Sequence, residues 1–183
     1  MKYLILSDIH GSITPLKKVI DFFKEKDYDL LLILGDILNY GPRNGIPEGL
    51  NAPAIVEELN KLSNKIIAIK GNCDSEVDQM LLKFPMMSDY AIVVDNGVRI
   101  FMTHGHRFND NNRPSVGYDI LLYGHTHIQK LERQGNTVIS NTGSITFPKD
   151  GNMPTFATYE NNTLRLHSLD GNILKELKIK KED

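Results

Sequence analysis

Side chains that can bind metal ions recur in short motifs along the first two thirds of this chain. The carboxylate, imidazole and amide groups concerned are those of Asp8, His10, Asp36, Asn72, His104, His125 and His127. This mixture of groups suits divalent transition-metal ions better than an all-oxygen calcium site. Two such cations can promote hydrolysis of a phosphate ester, because they supply a nucleophile at neutral pH and neutralise the oxygens that repel it.

Short apolar runs precede these motifs and predict the strands that position them. Tyr3–Leu6, Leu30–Leu34 and Ile66–Ile69 are almost continuously apolar, as expected for strands buried on both faces of a largely parallel sheet. Helical patterns separate the runs; Thr14-Pro15 is the expected start of the first helix, and the second is expected to start near Asn51. Since open α/β sheets place ligand sites at the carboxyl ends of their strands, the motifs should meet at one rim.

The second half of the sequence predicts mostly sheet. Strands separated by turn signals are expected at 91–94, 99–103, 120–123, 129–133, 138–140, 155–159, 164–169 and 173–179. A third helix is expected near Ser75–Phe84. The parallel half and the hairpin-rich half should stack as two sheets with helices outside, within a single domain that spans residues 1–183.

The composition narrows the class of protein. The formal net charge is -2 and there is no Trp, so the sequence lacks the basic footprint of a nucleic-acid-binding surface. The one Cys suits a reducing compartment, and the N-terminal apolar run is too short for a membrane span. We therefore expect a cytoplasmic protein with neither a nucleic-acid nor a membrane partner.

The ordered motifs resemble the calcineurin-like metallophosphoesterases from about Met1 to Ser144. They are Asp8-x-His10, Gly35-Asp36, Gly71-Asn72-x-Asp74, Thr103-His104-Gly105-His106 and Gly124-His125-Thr126-His127. More narrowly, the stretches 35–44 and 71–79 are similar to the bacterial YfcE-type phosphodiesterases. The resemblance implies a four-layer α/β/β/α sandwich of two mixed sheets, self-association into a homo-oligomer, and hydrolysis of small phosphodiesters by in-line attack of a metal-bridging hydroxide.

The resemblance also implies a division of the ligands between two divalent ions. The first ion would take Asp8, His10, Asp36 and His127, and the second would take Asp36, Asn72, His104 and His125. Asp36 is thus the expected bridge, and Asp36, Asn72 and His104 are the expected catalytic residues. Mn²⁺ is the favoured ion, with Ni²⁺, Co²⁺, Fe²⁺ or Zn²⁺ as alternatives. His106 is expected to lie behind the ligands.

Cys73 is a departure from the wider family, which usually has His after the Gly-Asn pair, close to the leaving group. A thiol is a poor proton donor at neutral pH, and nearby cations would favour the thiolate. The sequence therefore predicts good turnover only for esters with acidic leaving groups. A redox or nucleophilic role for Cys73 is the alternative, although there is no second Cys to support it.

Other interpretations remain open at this level. Asp74 could cap the following helix or orient a neighbouring ligand, and the cap is slightly favoured. Arg43 could bind a substrate phosphate, be an ordinary solvated loop residue, or lie at a subunit contact. The whole chain could be a catalytically weak interaction scaffold, because the retromer scaffold subunit shares the expected fold. A scaffold, however, would be expected to lack some of the ligands that are all present here.

Overall fold

The computed structural model describes residues 1–179, which form two mixed sheets and few helices. The first sheet has the order β11-β10-β9-β1-β2-β3 and the second has the order β4-β5-β6-β8-β7. In chain order the elements are β1 Tyr3–Leu6, α1 Ile13–Glu25, β2 Leu30–Ile33, α2 Ala52–Lys61, β3 Ile66–Ala68, α3 Glu76–Leu81, β4 Tyr90–Asp95, β5 Val98–Thr103, β6 Ile120–Tyr123, β7 Lys130–Gln134, β8 Thr137–Asn141, β9 Thr155–Glu160, β10 Thr163–Ser168 and β11 Ile173–Lys178.

The strands predicted from apolar runs are confirmed, but their division between the sheets was predicted wrongly. The last three strands do not join the second sheet; β9 pairs antiparallel with β1, with Tyr3 opposite Tyr159, and completes the first sheet. In the second sheet, β5, β6 and β8 run parallel to one another, and β4 and β7 pair antiparallel at the two edges. The two sheets therefore do not correspond to the two halves of the sequence.

Apolar side chains on alternate faces of the strands build the layers. Leu4 and Leu6 of β1 pack beneath α1 and α2, whereas Tyr3 and Ile5 point into the core between the two sheets. This alternation follows from the two-residue period of a strand. The central strand of the first sheet is thus covered on both faces.

The outer face of the second sheet is covered by an irregular segment instead of a helix. Phe101, Leu121 and Ile139 form a small cluster on this face, and Phe108 and Tyr118 from the connection between β5 and β6 pack against it. The expected sandwich of two mixed sheets is therefore confirmed, and the connection between β5 and β6 takes the place of a helix over the second sheet. Within residues 1–179, no helix has the length and apolar character needed to cross a membrane.

The helix boundaries differ from the predictions at two ends. The first helix starts at Ile13, two residues before Pro15, with Ser12 at its N-cap instead of Thr14. The third ends at Leu81, because Gln79 binds the Leu82 and Phe84 carbonyls through its side chain and Phe84 precedes a proline, a position that disfavours helix. The start of the second helix is confirmed, since the Asn51 side chain accepts a hydrogen bond from the Ala54 amide at 3.1 Å.

Candidate metal centre

The structure brings the predicted ligands to one rim at the carboxyl ends of the strands. Ligand atoms lie within 4.8 Å of one another in three groups: Asp8, His10 and His127; Asp8, Asp36 and His104; and His10, Asp36 and Cys73. We call Asp8, His10 and His127 the inner half of the centre, and Asn72, His104 and His125 the outer half. Asp36 lies between the two halves.

Asp36 is placed as a bridging ligand would be. Its Oδ2 atom lies 3.7 Å from His10 Nε2 in the inner half and 3.4 Å from His104 Nε2 in the outer half. Its other oxygen, Oδ1, accepts a hydrogen bond from the Cys73 amide at 2.8 Å. One carboxylate oxygen therefore reaches both halves, while the second oxygen fixes the orientation of the group.

The backbone holds several ligands in a conformation that is uncommon for residues other than glycine. Asp8, His10, Asp36, His125 and His127 have φ values of 57°, 49°, 56°, 63° and 61°. Each such left-handed residue costs on the order of 1–3 kcal/mol, and residues of this kind concentrate at functional sites. The sharp turns that this conformation produces immediately after the strands direct the side chains into the rim.

Neighbouring glycines give these turns the space that they need. A Cβ atom on Gly71 would lie 2.1 Å from Asp36 Oδ1, and one on Gly124 would lie 2.0 Å from Ser7 Oγ and 2.5 Å from Asp8 Oδ2. The Gly-Asn and Gly-His pairs of the sequence motifs therefore reflect close approach of the backbone to two of the ligands.

Backbone carbonyls orient the buried imidazoles, and no sequence pattern could have identified these carbonyls. His10 Nδ1 lies 3.0 Å from the Asn39 carbonyl oxygen, and His127 Nδ1 lies 2.7 Å from that of Phe147. If each Nδ1–H donates to its carbonyl, both Nε2 atoms present lone pairs to the centre, and these atoms are only 3.2 Å apart. Two facing lone pairs repel each other unless a cation lies between them.

Asp8 gives independent evidence that a cation fits the inner half. Its Oδ2 accepts hydrogen bonds from Ser7 Oγ at 2.6 Å and from the His125 amide at 2.9 Å. Its Oδ1 is buried without a hydrogen-bond partner, although His127 Nε2 lies 3.1 Å away and His10 Nε2 lies 3.5 Å away. A buried unpaired carboxylate oxygen is costly in a native protein, and a metal ion would satisfy it.

The outer half is built around His104. Its Nδ1 lies 2.7 Å from the Leu34 carbonyl oxygen, and its Nε2 lies 3.1 Å from Asn72 Oδ1. The His125 ring is 5.1 Å from the His104 ring between centroids, but His125 belongs to none of the three ligand groups. The structure thus brings Asn72 and His104 together. His125 lies beside them, but among the described residues its ring nitrogens are not part of any group of ligand atoms within 4.8 Å of one another.

Electrostatics favour ionised carboxylates facing these imidazoles. Burial would raise the pKa of Asp8, but the neighbouring His10 and His127 hold it well below its usual range. Burial would also raise the pKa of Asp36, and the hydrogen bond from His104 lowers it instead. Burial disfavours the protonated form of His104 and would lower its pKa, yet Asp36 and Asp8 raise the pKa to about 9. A metal ion that binds here at neutral pH must therefore displace a proton from His104.

The pKa values of His125 and His106 are lowered, in contrast to that of His104. Burial and the charge on His104 lower the pKa of His125 to about 4, so that its ring is neutral and able to act as a ligand. The same two causes lower the pKa of His106. The ring of His106 lies 5.4 Å from that of His104, and its Nδ1 is buried without a partner. His106 is therefore a neighbour of His104, and its position behind the ligands stays a prediction.

The predicted cap role of Asp74 is wrong. Its carboxylate accepts hydrogen bonds from the amides of Asp36 at 2.8 Å, Ile37 at 2.8 Å and Gly71 at 2.7 Å. The helix is instead capped by Ser75 and Asp78, which form a reciprocal capping box. In the sequence Asp74 comes just before the helix. In the structure its carboxylate instead connects the turn that carries Asp36 to the turn that carries Asn72.

Cys73 lies at the mouth of the centre as a half-buried thiol. Burial and the nearby Asp36 carboxylate raise its pKa to about 12, and bound cations would act in the opposite direction. Asn72 Nδ2 donates to its sulfur at 3.2 Å. A neutral thiol with so high a pKa is a weak general acid at neutral pH.

Comparison with known proteins identifies the family of the chain. Residues 1–163 match the model of the calcineurin-like phosphoesterase superfamily domain. Phosphodiesterase YfcE of Escherichia coli strain K12 is 42% identical over 181 residues, which cover 98% of each chain. The solved structure of YfcE, a phosphoesterase from E. coli, matches with a TM-score of 0.95 over 98% of this chain and 100% of that chain.

A more distant solved structure shares the fold. Wild-type Vps29 of Entamoeba histolytica, complexed with Zn²⁺, matches with a TM-score of 0.66 at 18% identity, over 98% of this chain and 100% of that one. An identity this low shows a common fold and does not favour the scaffold interpretation. The chain belongs to the calcineurin-like phosphoesterase superfamily, and it is an enzyme of the class that acts on phosphoric ester bonds.

Proposed function

We propose that the protein is a metal-dependent phosphodiesterase that hydrolyses small phosphodiesters with good leaving groups. The observation that carries this proposal is the position of Asp36 Oδ2, within 3.7 Å of His10 Nε2 and 3.4 Å of His104 Nε2. A carboxylate shared in this way is what a two-ion centre requires. The name of the E. coli relative, a phosphodiesterase, supports the choice of diesters.

Two divalent cations, when bound, would supply a bridging hydroxide for in-line attack and would neutralise the non-bridging phosphoryl oxygens. The protein would hold them with Asp8, His10 and His127 on one side, with Asn72, His104 and His125 on the other, and with Asp36 between. Asn72 contributes a neutral oxygen, which limits the negative charge of the centre. We favour Mn²⁺, because imidazole, amide and carboxylate ligands occur together.

The test begins with metal-stripped protein that is supplied separately with Mn²⁺, Ni²⁺, Mg²⁺ or Zn²⁺. Each sample is assayed on bis(4-nitrophenyl) phosphate, 4-nitrophenyl phosphate and glycerol phosphate. We expect metal-dependent hydrolysis that is fastest for the aryl diester. The Asp36→Asn variant should retain less than about one hundredth of that rate, because an amide cannot bridge two cations as a carboxylate does. Inactivity of wild type with every metal, with the Asp36→Asn variant behaving like wild type, would favour a scaffold.

The preference for acidic leaving groups rests on Cys73. A good leaving group departs as an anion and needs no proton, whereas an alkyl alkoxide requires one that a thiol of pKa about 12 does not readily donate. Cys73→His should therefore improve hydrolysis of glycerol phosphate relative to bis(4-nitrophenyl) phosphate by about tenfold. Relative rates identical to those of wild type would show that position 73 does not set this preference.

We further propose that the chain works in the cytoplasm as one domain and as a homo-oligomer. The single Cys suits a reducing compartment, and self-association is what the family resemblance leads us to expect. Light scattering coupled to size-exclusion chromatography would test the oligomeric state, and a monomeric mass at micromolar concentration would contradict it.

A further inference from the structure

The metal centre opens into a cavity that is larger than a phosphoryl group alone requires. Its volume is about 590 Å³, within the range of pockets that bind small organic ligands. One part of the wall comes from segment 39–44, another from segment 125–127, and Lys149 completes the lining near the second segment. The wall beyond the ligands is therefore available to the substituents of the ester.

The charges on this wall are unbalanced. Arg43 and Lys149 line the cavity, and Asp36, a predicted ligand, is the only carboxylate among its lining residues in the part of the chain described. Over residues 1–179, neither cation takes part in an ion pair. Elsewhere in the molecule, Arg113 and Lys130 both pair with Asp110. Unpaired cations on a concave wall attract an anionic ligand.

Arg43 is carried by the same turn that orients His10. The Asn39 carbonyl oxygen lies within hydrogen-bond distance of His10 Nδ1, and the Asn39 side chain accepts a hydrogen bond from the Gly41 amide at 2.8 Å. The Asn44 amide then donates to the Gly41 carbonyl at 3.2 Å. These hydrogen bonds fix the backbone on both sides of Arg43, so its position is coupled to that of the inner half.

Lys149 is coupled to His127 in a similar way. The Phe147 carbonyl orients His127 Nδ1 at 2.7 Å, and the Lys149 amide donates to the His127 carbonyl oxygen at 3.1 Å. The segment that aligns the imidazole therefore presents a cation two residues later. Both cations are thus held by the chain segments that position ligands of the inner half.

We propose that Arg43 and Lys149 determine specificity by binding a second anionic group of the substrate. The preferred substrate is then a small phosphodiester that bears a further phosphate, phosphonate or carboxylate. The guanidinium group can bind such an oxyanion through two parallel hydrogen bonds, and the ammonium group acts as a point charge. This inference rests on the proposed phosphodiesterase function and adds the chemical class of its substrate.

Three diesters with the same leaving group test the assignment. They are 4-nitrophenyl phenyl phosphate and its analogues with a carboxylate or a phosphonate at the para position of the phenyl ring. The ratio of kcat/KM for each anionic ester to that for the neutral ester should be on the order of 100 for wild type. Arg43→Gln and Lys149→Gln should each lower this ratio about tenfold, mainly through KM.

Lys17→Gln is the matched control. Lys17 is exposed on α1 and does not line the cavity, so its substitution removes the same charge and should leave the ratio unchanged. The wild-type ratio should also fall as NaCl is raised from 0.05 to 0.5 M, because salt screens exposed charges. A larger ratio for the phosphonate would identify a phosphoryl group as the second anion, and a larger ratio for the carboxylate would identify a carboxylate.

A wild-type ratio of one or less for both anionic esters would overturn the proposal. So would a ratio in either Gln variant that equals the wild-type ratio. If the metal-loaded enzyme cleaves none of the three esters, the proposed function itself fails, and this outcome is distinct from cleavage of all three without discrimination.

Discussion

The inner and outer halves of the metal centre contain similar side chains, but the surrounding chain holds them differently. Asp8, His10 and His127 are buried, and both imidazoles of this half contact a backbone carbonyl through Nδ1. In the outer half His104 is held in the same way, whereas Asn72 is exposed and His125 is only half-buried.

This difference indicates an order of metal binding. The inner half is organised before the ion arrives, so binding there costs little further ordering of side chains. In the part of the chain described, the His125 ring forms no hydrogen bond, so the ion itself would have to order this residue of the outer half. We therefore expect one ion to bind tightly in the inner half and a second to bind more weakly in the outer half.

The largest predicted effect compares a ligand from each half. His10→Ala should lower kcat/KM on bis(4-nitrophenyl) phosphate by about a thousandfold, because loss of the tightly bound ion removes several kcal/mol of transition-state stabilisation. His125→Ala should cost about ten- to a hundredfold. Excess Mn²⁺ should restore much of the activity of His125→Ala and little of that of His10→Ala.

Metal content after dialysis provides the second readout for this pair. We expect His125→Ala to retain about one ion per chain and His10→Ala to retain less. Equal losses of metal and of activity in the two variants would show that the halves are equivalent.

The next effect concerns Asp74, which connects the turn of Asp36, between the two halves, to the turn of Asn72 in the outer half. Asp74→Asn should lower the free energy of unfolding by about 2–3 kcal/mol, because an amide offers one oxygen to three backbone N–H donors and turns its NH₂ group toward one of them. Urea denaturation in EDTA measures this change. Metal affinity should fall in both halves, since Asp74 binds the amides of Asp36 and Gly71.

Asp21→Asn on the exposed face of α1 is the control for Asp74→Asn, and it should change stability by less than about 0.5 kcal/mol. If Asp74→Asn weakened the binding of only one ion, Asp74 would support one half and would not connect the two.

The smallest predicted effect is on stability and concerns His167, a buried histidine outside the metal centre. His167 stacks on Phe156 and contacts Thr158 Oγ1 at 2.8 Å, and burial lowers its pKa. Because the pKa is lower in the folded state, the unfolded chain binds the proton more readily. The contribution of His167 to the free energy of unfolding is therefore at its full value above about pH 6.5, and it declines as the pH falls toward the pKa of the folded state. His167→Gln should make the protein about 1 kcal/mol less stable at pH 8.

The pH dependence of stability below pH 6.5 should be shallower in His167→Gln than in wild type, both in EDTA and with Mn²⁺ bound. Thermal unfolding across pH 5 to 8 measures it. Persistence of the difference in the metal-loaded protein would separate His167 from the centre, whereas a difference seen only in EDTA would link the two.

The sequence predicted which side chains would meet, and it did so through one rule. Asp8 follows β1, Asp36 follows β2 and His104 follows β5, and the carboxyl ends of these strands converge at one rim. The rule needs only the position of each strand end. It therefore placed the potential ligands together, while their roles in binding metal remain predictions.

Features that depend on distant parts of the chain were not predictable in this way. The pairing of Tyr3 with Tyr159 joins the first strand to the ninth, and no local pattern specifies it. The Asp74 carboxylate faces two turns that are separated in sequence, so local spacing favoured the wrong role. The carbonyls of Asn39 and Phe147 carry no residue-type signal, because every residue has a carbonyl.

The left-handed turns at the ligands imply a conflict between evolution for stability and evolution for catalysis. Glycine would adopt the φ of 49° at His10 or 63° at His125 without steric cost, so a chain selected only for thermal resistance would lose its imidazoles there. Homologues that abandon catalysis would thus be free to gain stability at the very positions predicted to bind metal. Within this fold, a glycine at a ligand position would be a sign of lost activity that a sequence alone can reveal.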